Sequence, residues 1–480
     1  MTALDKPRHT ATLCVLCIGT LMIVLDTTIV TVALPNITHD LHLTGASLTW
    51  MLNAYMLTFG GCLILSGRLG DLYGQRRLFL TGIAVFTLAS AACGLAPTPT
   101  VLLAARGVQG LGAAVVTAVT LPLIMRTSPE PAQRAKAMGI YGSVCAAGGG
   151  VGVLLGGVLT RTLSWHWIFL VNLPIGAVVY ALSAAGLPRD ERSEKPRQLD
   201  LAGATTLTTA LTVTDYTLVN GNEIGWSSPQ TLSLLAAAVI LALLFLTIEI
   251  RAADPMMPPG LFRQHNFTVA SVLGILWASG AFTWFVISSL YLQRVLGYDA
   301  LRVGLAFIPS QLIIAAFSAG LTPKMITRFG TRNPLTIGLM LASAGLALFA
   351  RAPIGGAFIP DVLPGMLLLG LGGSMASTPL LMAAMTDVNS DEASLASGVI
   401  NTSLMLGGAL GLALLATLAE ARFTTLHRSG ENPLTALNAG YHLAFILGSL
   451  LTTTAATLAR IALRPAPLCS ARQCLLPTSF

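Results

Sequence analysis

Charge is scarce in this sequence. Only 10% of its 480 residues are Asp, Glu, Lys or Arg, against about 25% in a soluble domain. That scarcity excludes a water-facing surface over most of the chain. No P-loop occurs, so nothing in the chain suggests ATP drive. The seven histidines show no metal-ligand spacing, and no nucleophile-and-base set stands out. These absences argue against an enzyme, and no metal or other cofactor is expected. Cysteines are few. Cys14, Cys17, Cys62, Cys93 and Cys145 lie in apolar runs and read as packing residues. Cys469 and Cys474 lie near the end with no histidine beside them, which disfavours a zinc site. The net charge of +7 comes from Lys and Arg spread over connectors, with no basic stripe interleaved with aromatics. Nucleic acid is therefore not an expected partner. A cleavable signal pattern is also missing, because the first apolar run continues to Pro35 and holds an acid.

Apolar length is present in excess. Hydrophobic residues make up 54% of the chain, and runs of about 20 of them recur along it, the signature of membrane-crossing helices. We read fourteen helices, over about 12–35, 47–66, 78–96, 100–126, 136–160, 166–187, 201–220, 230–250, 267–292, 301–322, 334–351, 360–386, 394–418 and 438–463. Turn residues separate them, as at Ala96-Pro97-Thr98-Pro99, Asn220-Gly221-Asn222 and Asn432-Pro433. With both termini cytoplasmic, twenty of the 27 Lys and Arg fall in or beside inner segments and six outer ones, as the positive-inside rule requires. The connector after 386 is the weak point, carrying Asp387, Asp391 and Glu392 but no base. The expected location is the cytoplasmic membrane, multi-pass, with the lipid bilayer as surroundings and the protein acting as a monomer.

One connector carries more than a turn needs. Residues 67–77 contain Gly67, Arg68, Gly70, Asp71, Gly74, Arg76 and Arg77. Orienting the chain would explain the arginines, but not Asp71 or the glycine spacing. Residues 323–333 overlay it, with Gly330 on Gly74, Arg332 on Arg76, and Thr327 where Asp71 stands. The offset leaves about 200 residues per half once helices seven and eight are set aside. The plan is thus an all-α membrane protein: a six-helix half over 1–190, a linker and inserted pair over 191–255, and a second six-helix half over 256–480. The charged connector 188–200 reads as a solvated linker.

Asp26 stands out inside the first apolar run, nine residues before Pro35, or roughly 13 Å deep. An ionised carboxylate there must pair, line a wet cavity or take up a proton. It is either a proton-coupling group or a structural acid fixed by neighbouring donors. Arg106 lies at comparable depth in the fourth helix, roughly 10 Å in, and could meet it. Gln109, about one turn deeper, could bond Arg106 or a substrate. In helix five, Gly148, Gly152 and Gly156 fall four apart on one face beside Gly157, allowing close approach of a neighbour for packing or sliding. Gly407 and Gly411 repeat this more briefly. Asp215 lies inside threonine-rich helix seven, as a second proton or cation site or as an acid snorkelling outward. Glu223 reads as solvated. Trp165 and Trp167, with His166 between them, read as interfacial anchors.

Residues 67–77 resemble the loop between helices 2 and 3 of major facilitator superfamily transporters, G-x-x-x-D-x-x-G-x-[RK]-[RK]. Further stretches narrow the resemblance. Leu25-Asp26-Thr27-Thr28-Ile29-Val30-Thr31-Val32-Ala33-Leu34-Pro35 is similar to the first-helix signature of the fourteen-helix drug:proton antiporter branch, with Thr31 replacing the usual Asn. Arg106-Gly107-Val108-Gln109-Gly110-Leu111-Gly112 resembles R-x-x-Q-G-x-G. Gly148 to Gly157 resembles G-x-x-x-G-P-x-x-G-G, with Val153 in place of proline. Trp167 to Gly176 matches the branch's sixth helix. The resemblance implies two six-helix halves built from inverted triplets, with proton coupling at Asp26 and Arg106. It also implies a gate at Gly67, Asp71, Gly74, Arg76 and Arg77, and a polar cavity contact at position 31 that Thr31 weakens. The implied activity is proton-driven efflux of small amphipathic or cationic compounds by alternating access. Export of one endogenous metabolite, or a non-transporting membrane sensor or assembly role, are the alternatives.

Overall fold

The computed structural model describes residues 5–127, 131–188, 201–252, 259–386, 388 and 393–464. The linker at 189–200, the acids Asp387, Asp391 and Glu392, and Cys469 and Cys474 lie outside the described residues. So do the side chains of Asp71, Cys145, Glu223 and Thr327. Seventeen helices are described in chain order. They are α1 Asp5–Asp40, α2 Gly45–Tyr73, α3 Gln75–Gly94, α4 Pro99–Thr127, α5 Pro131–Thr162, α6 Trp167–Leu170, α7 Asn172–Gly186, α8 Leu201–Ile224 and α9 Pro229–Arg251. The series continues with α10 Pro259–Arg263, α11 His265–Leu290, α12 Ala300–Ala316, α13 Thr322–Phe329, α14 Arg332–Phe349, α15 Leu363–Met385, α16 Ala393–Arg428 and α17 Pro433–Ala462. Short π-helical turns extend α11 and α12 and precede α15.

Local chemistry sets several starts. Thr44, Ser228, Asp299 and Asn432 each accept a backbone N–H of the first turn, and prolines open α9 and α17. Length and apolarity do the rest: eleven helical spans among the described residues are long and apolar enough to cross a membrane. Among the remaining helices, α5 runs for 32 residues and α8 for 24.

The helices pair in two like sets. In the first, α1 packs on α5 and α7, α3 on α4 and α7, and α2 on α4. In the second, α11 packs on α16 and α17, α14 on α15 and α17, and α12 on α15. Reciprocal contacts, α2 with α16 and α5 with α12, join the sets. The added pair α8–α9 leans on α2 and α16 through α8.

Two sequence expectations about ends are corrected. The 67–77 stretch is not an open loop, because α2 continues to Tyr73 and only Gly74 separates it from α3. Gly74 has φ +97°, and its repeat partner Gly330, closing α13, has φ +74°. Both backbones occupy a region that side-chain-bearing residues rarely adopt. The overlay of the two segments thus marks the same sharp break twice. Likewise α1 runs through Pro35 to Asp40. A proline has no N–H to give, so the carbonyl four residues back loses its helical partner. That carbonyl belongs to Thr31, and the buried Ser289 hydroxyl of α11 donates to it at 2.9 Å. The bond that α1 loses is replaced from the other half. The Thr402 hydroxyl of α16 similarly donates to the Gly60 carbonyl of α2 at 3.1 Å.

The glycines of α5 face two neighbours. A methyl at Gly156 would come within 2.6 Å of the Ile29 carbonyl oxygen of α1, and Gly148 and Gly152 abut Val24 and Thr28 of that helix. Gly157 instead meets the Ala300 backbone of α12, at 2.5 Å from a Cβ. α5 is therefore clasped between α1 and the opposite half. It runs as one helix through Val153. Gly407 and Gly411 abut Ile275 and Ser279 on α11 in the same manner.

A methyl at Gly67 would meet nothing within 4 Å, and the residue is free of the strain that marks Gly74. Gly67→Ala is expected to leave thermal unfolding in detergent unchanged. Gly74→Ala should destabilise by about 1–3 kcal/mol, and Gly156→Ala should destabilise through its clash with the α1 backbone. A Gly74→Ala protein as stable as wild type would remove the backbone reason for that glycine.

Candidate coupling site in the first half

Asp26 sits on α1 with none of its surface exposed. Arg106, 1% exposed on α4, donates from Nη1 to Asp26 Oδ2 at 2.6 Å. Arg106 and Gln109 are three residues apart and so share a helix face. From there Gln109 Nε2 donates to Asp26 Oδ1 at 2.7 Å, while its Oε1 accepts from Arg106 Nη1 at 2.7 Å. The expected meeting of Asp26, Arg106 and Gln109 is what the structure contains.

Two members were not foreseen. Asn172, the first residue of α7, donates from Nδ2 to Asp26 Oδ1 at 3.2 Å and to Ser90 Oγ at 2.9 Å. Ser90 of α3 also accepts from Gln109 at 3.2 Å, and its own hydroxyl donates to the Phe169 carbonyl at 2.9 Å. Asn172 has a legible signal, a single amide inside the run Phe169-Leu170-Val171-Asn172-Leu173. Ser90 has none, since a serine in a membrane helix ordinarily bonds its own backbone. Around the polar group, Tyr55 lays its ring 4.3 Å from the Arg106 guanidinium carbon, and Arg106 Nε donates to the Met51 carbonyl at 3.3 Å.

The chemistry follows from this inventory. Both carboxylate oxygens are occupied by donors, one of them a fixed cation, in a place that excludes water. A buried ion pair that is fully hydrogen-bonded can persist, but removing one member leaves an uncompensated charge. The arrangement gives each carboxylate oxygen of Asp26 at least one donor. A proton placed on either oxygen would compete with one of these donors.

Other expected site residues lie elsewhere. Thr31 does not join Asp26: its hydroxyl donates to the Thr28 carbonyl at 2.7 Å, and its carbonyl takes Ser289. Asp215 does not snorkel outward, since none of its surface is exposed, and Asn53 donates to it at 2.8 Å. Trp165 is not an interfacial anchor. It is 4% exposed, stacks on His166 and donates to Asp40 at 2.8 Å, because α1 reaches far enough to meet it. Trp167 is 45% exposed, as an anchor would be. At the Gly74 hairpin, Arg76 donates to the Ala184 carbonyl, tying α3 to α7. Among the described residues no three His, Cys, Asp or Glu side chains converge to hold a metal ion.

The description "Major Facilitator Superfamily" matches residues 16–412 of the chain. The chain belongs to that superfamily. It is a multi-pass membrane transporter acting on small molecules, not an enzyme. The transporter is 36% identical to the puromycin resistance protein of Streptomyces alboniger over 93% of its own length and 90% of that protein. It is 36% identical to the cephamycin export protein of Amycolatopsis lactamdurans, with 85% of each covered. With the multidrug resistance protein Stp of Mycobacterium tuberculosis it shares 34% identity over 84% of its length and 74% of that protein. Solved structures share the transporter's fold. A POT family peptide transporter superposes with TM-score 0.66 over 95% of this chain and 99% of that one, at 14% identity. The human organic anion transporter MFSD10 gives 0.62 over 94% and 99%, at 16% identity.

Arg106→Ala should destabilise the detergent-solubilised transporter by about 3–5 kcal/mol. Adding Asp26→Asn should restore much of that loss, because no charge is then left unpaired. Equal stabilities of the single and double variants would mean that the pair carries no such load.

Proposed function

We propose that this transporter exports small amphipathic or cationic compounds, antibiotics or other drugs among them, in exchange for protons. The observation that carries this reading is the buried Asp26–Arg106 pair, in a chain similar over most of its length to proteins named for drug resistance and export. It acts as a member of the drug:proton antiporter branch, with fourteen spans, both termini cytoplasmic, and the cytoplasmic membrane as its location. It works as a monomer without a cofactor. The proposed division is 1–190, 191–255 and 256–480.

In the closed cluster Arg106 keeps the carboxylate charged and proton-free. Rocking of the halves acts on α1 through the Ser289 bond to Thr31, five residues or about 7.5 Å along the helix from Asp26. Displacement there separates Asp26 from Arg106, and the lone carboxylate then takes a proton from the side to which it is open. Closing the pair again expels the proton to the other side, so that proton entry drives cargo release and reset. The Gly67, Asp71, Gly74, Arg76 and Arg77 segment gates the inner face. Gly148, Gly152, Gly156 and Gly157 let α5 slide between α1 and α12.

Efflux measured in everted vesicles with an imposed pH gradient, across a panel that includes puromycin, tests this. Wild type should show gradient-driven movement of at least one compound, and Asp26→Asn should fall to vesicle background. No flux by wild type across the panel sinks antiport. Full flux by Asp26→Asn moves the proton site elsewhere. Ser289→Ala should slow turnover while leaving the gradient dependence intact.

A further inference from the structure

Asp215 is the second acid with no exposed surface, and its surroundings are unlike those of Asp26. It lies nine residues before the end of α8 at Ile224, about 14 Å inside the helix. Its partner Asn53 is also fully buried, eight residues into α2, or about 12 Å. Asn53 Nδ2 donates to Asp215 Oδ1 at 2.8 Å. Asp215 Oδ2 and Asn53 Oδ1 have no hydrogen bond among the described residues. The pair therefore uses one donor and leaves two acceptors without a protein partner among the described residues, with neither side chain open to the surface.

Among the described residues no cation pairs with it as Arg106 pairs with Asp26. α8 packs on α2, α9 and α16. The Thr417 hydroxyl donates to the Leu218 carbonyl, which aligns α16 with α8 and puts Glu420 about 9 Å further along the axis. Arg422, His427 and Arg428 lie beyond it. On α2 the nearest charge in sequence is Arg68, fifteen residues or about 22 Å from Asn53. On α9, Glu249 and Arg251 sit in the last turn. On α8 itself the next residue, Tyr216, turns to the Trp50 ring of α2, with centroids 6.1 Å apart.

An ionised carboxylate with one neutral hydrogen bond at this depth lacks what buried charge requires. What the pair lacks is a donor, and one proton supplies it. We propose that Asp215 and Asn53 form a second proton-binding site, separate from the Asp26 cluster, at the seam between the inserted helix pair and α2. A proton from water adds to Asp215 Oδ2, the carboxylate becomes a carboxylic acid, and its O–H is the donor that Asn53 Oδ1 is missing. Release returns the proton to water and leaves a charge that must be hydrated, which loosens α8 from α2. Loading thus docks the inserted pair, and unloading frees it.

Infrared difference spectra of the purified full-length protein, stepped between about pH 5 and 9, read this without substrate or gradient. Failure of the efflux reading would leave the measurement untouched. Acidification should raise a carboxylic C=O band that persists in Asp26→Asn and is lost in Asp215→Asn. Asn53→Ala should shift the same band by removing its hydrogen bond, which keeps the test alive should Asp215→Asn fail to fold. The proposal is overturned if no such band depends on Asp215, or if Asn53→Ala leaves every band in place. Suppression of the band by sodium but not choline at fixed pH would make this a cation site and overturn it too.

Discussion

A carboxylate can remain charged among membrane helices only where other groups do the work of water. At Asp26 that work is shared by Arg106, Gln109 and Asn172, with Ser90 holding the two amides. The five side chains come from α1, α3, α4 and α7, so the ion pair also holds these helices in register. Two aromatic rings flank the cluster: Tyr55 stacks on the guanidinium, and Phe169 stands near it. Such a cluster is stable as a whole and intolerant of losing one member, which is what a switch between two arrangements requires.

The halves meet through backbone as much as through side chains. α5 lies against the α12 backbone at Gly157, and the Thr402 hydroxyl of α16 bonds the α2 backbone at Gly60. Small residues permit that closeness, and close backbones can slide with little rearrangement of side chains. The Ser289 bond to Thr31 adds a defined link between halves, because Pro35 has freed the carbonyl that it uses. The bond ties α1 to the second half five residues from the acid.

The two buried acids are met in different ways. Asp26 is matched by a cation and amide donors, while Asp215 has one neutral donor and an empty oxygen. They sit on different helices and face different neighbours. The inserted pair α8–α9 thereby brings its own polar contact to the bundle instead of adding only apolar bulk.

Much was legible in the sequence because lipid imposes simple rules. Apolar runs of about twenty residues fix where helices lie. A helical period of 3.6 put Gly148, Gly152 and Gly156 on the face that meets α1, and depth alone suggested that Asp26 could meet Arg106. The repeated break at Gly74 and Gly330 was visible as a shared spacing. What sequence could not supply were contacts that depend on where one helix stands against another. Ser90 and Asn172 become site residues only when α3 and α7 converge on Asp26. Trp165 is buried only because α1 overruns Pro35. Thr31 matters through its carbonyl, an atom that every residue carries and that no sequence pattern can distinguish. The sequence by itself determined the helices and the cost of their buried charges, since both are local properties of residue type and length. Only the tertiary structure decided how each charge is met, since hydrogen-bond partners are chosen across tens to hundreds of residues by packing.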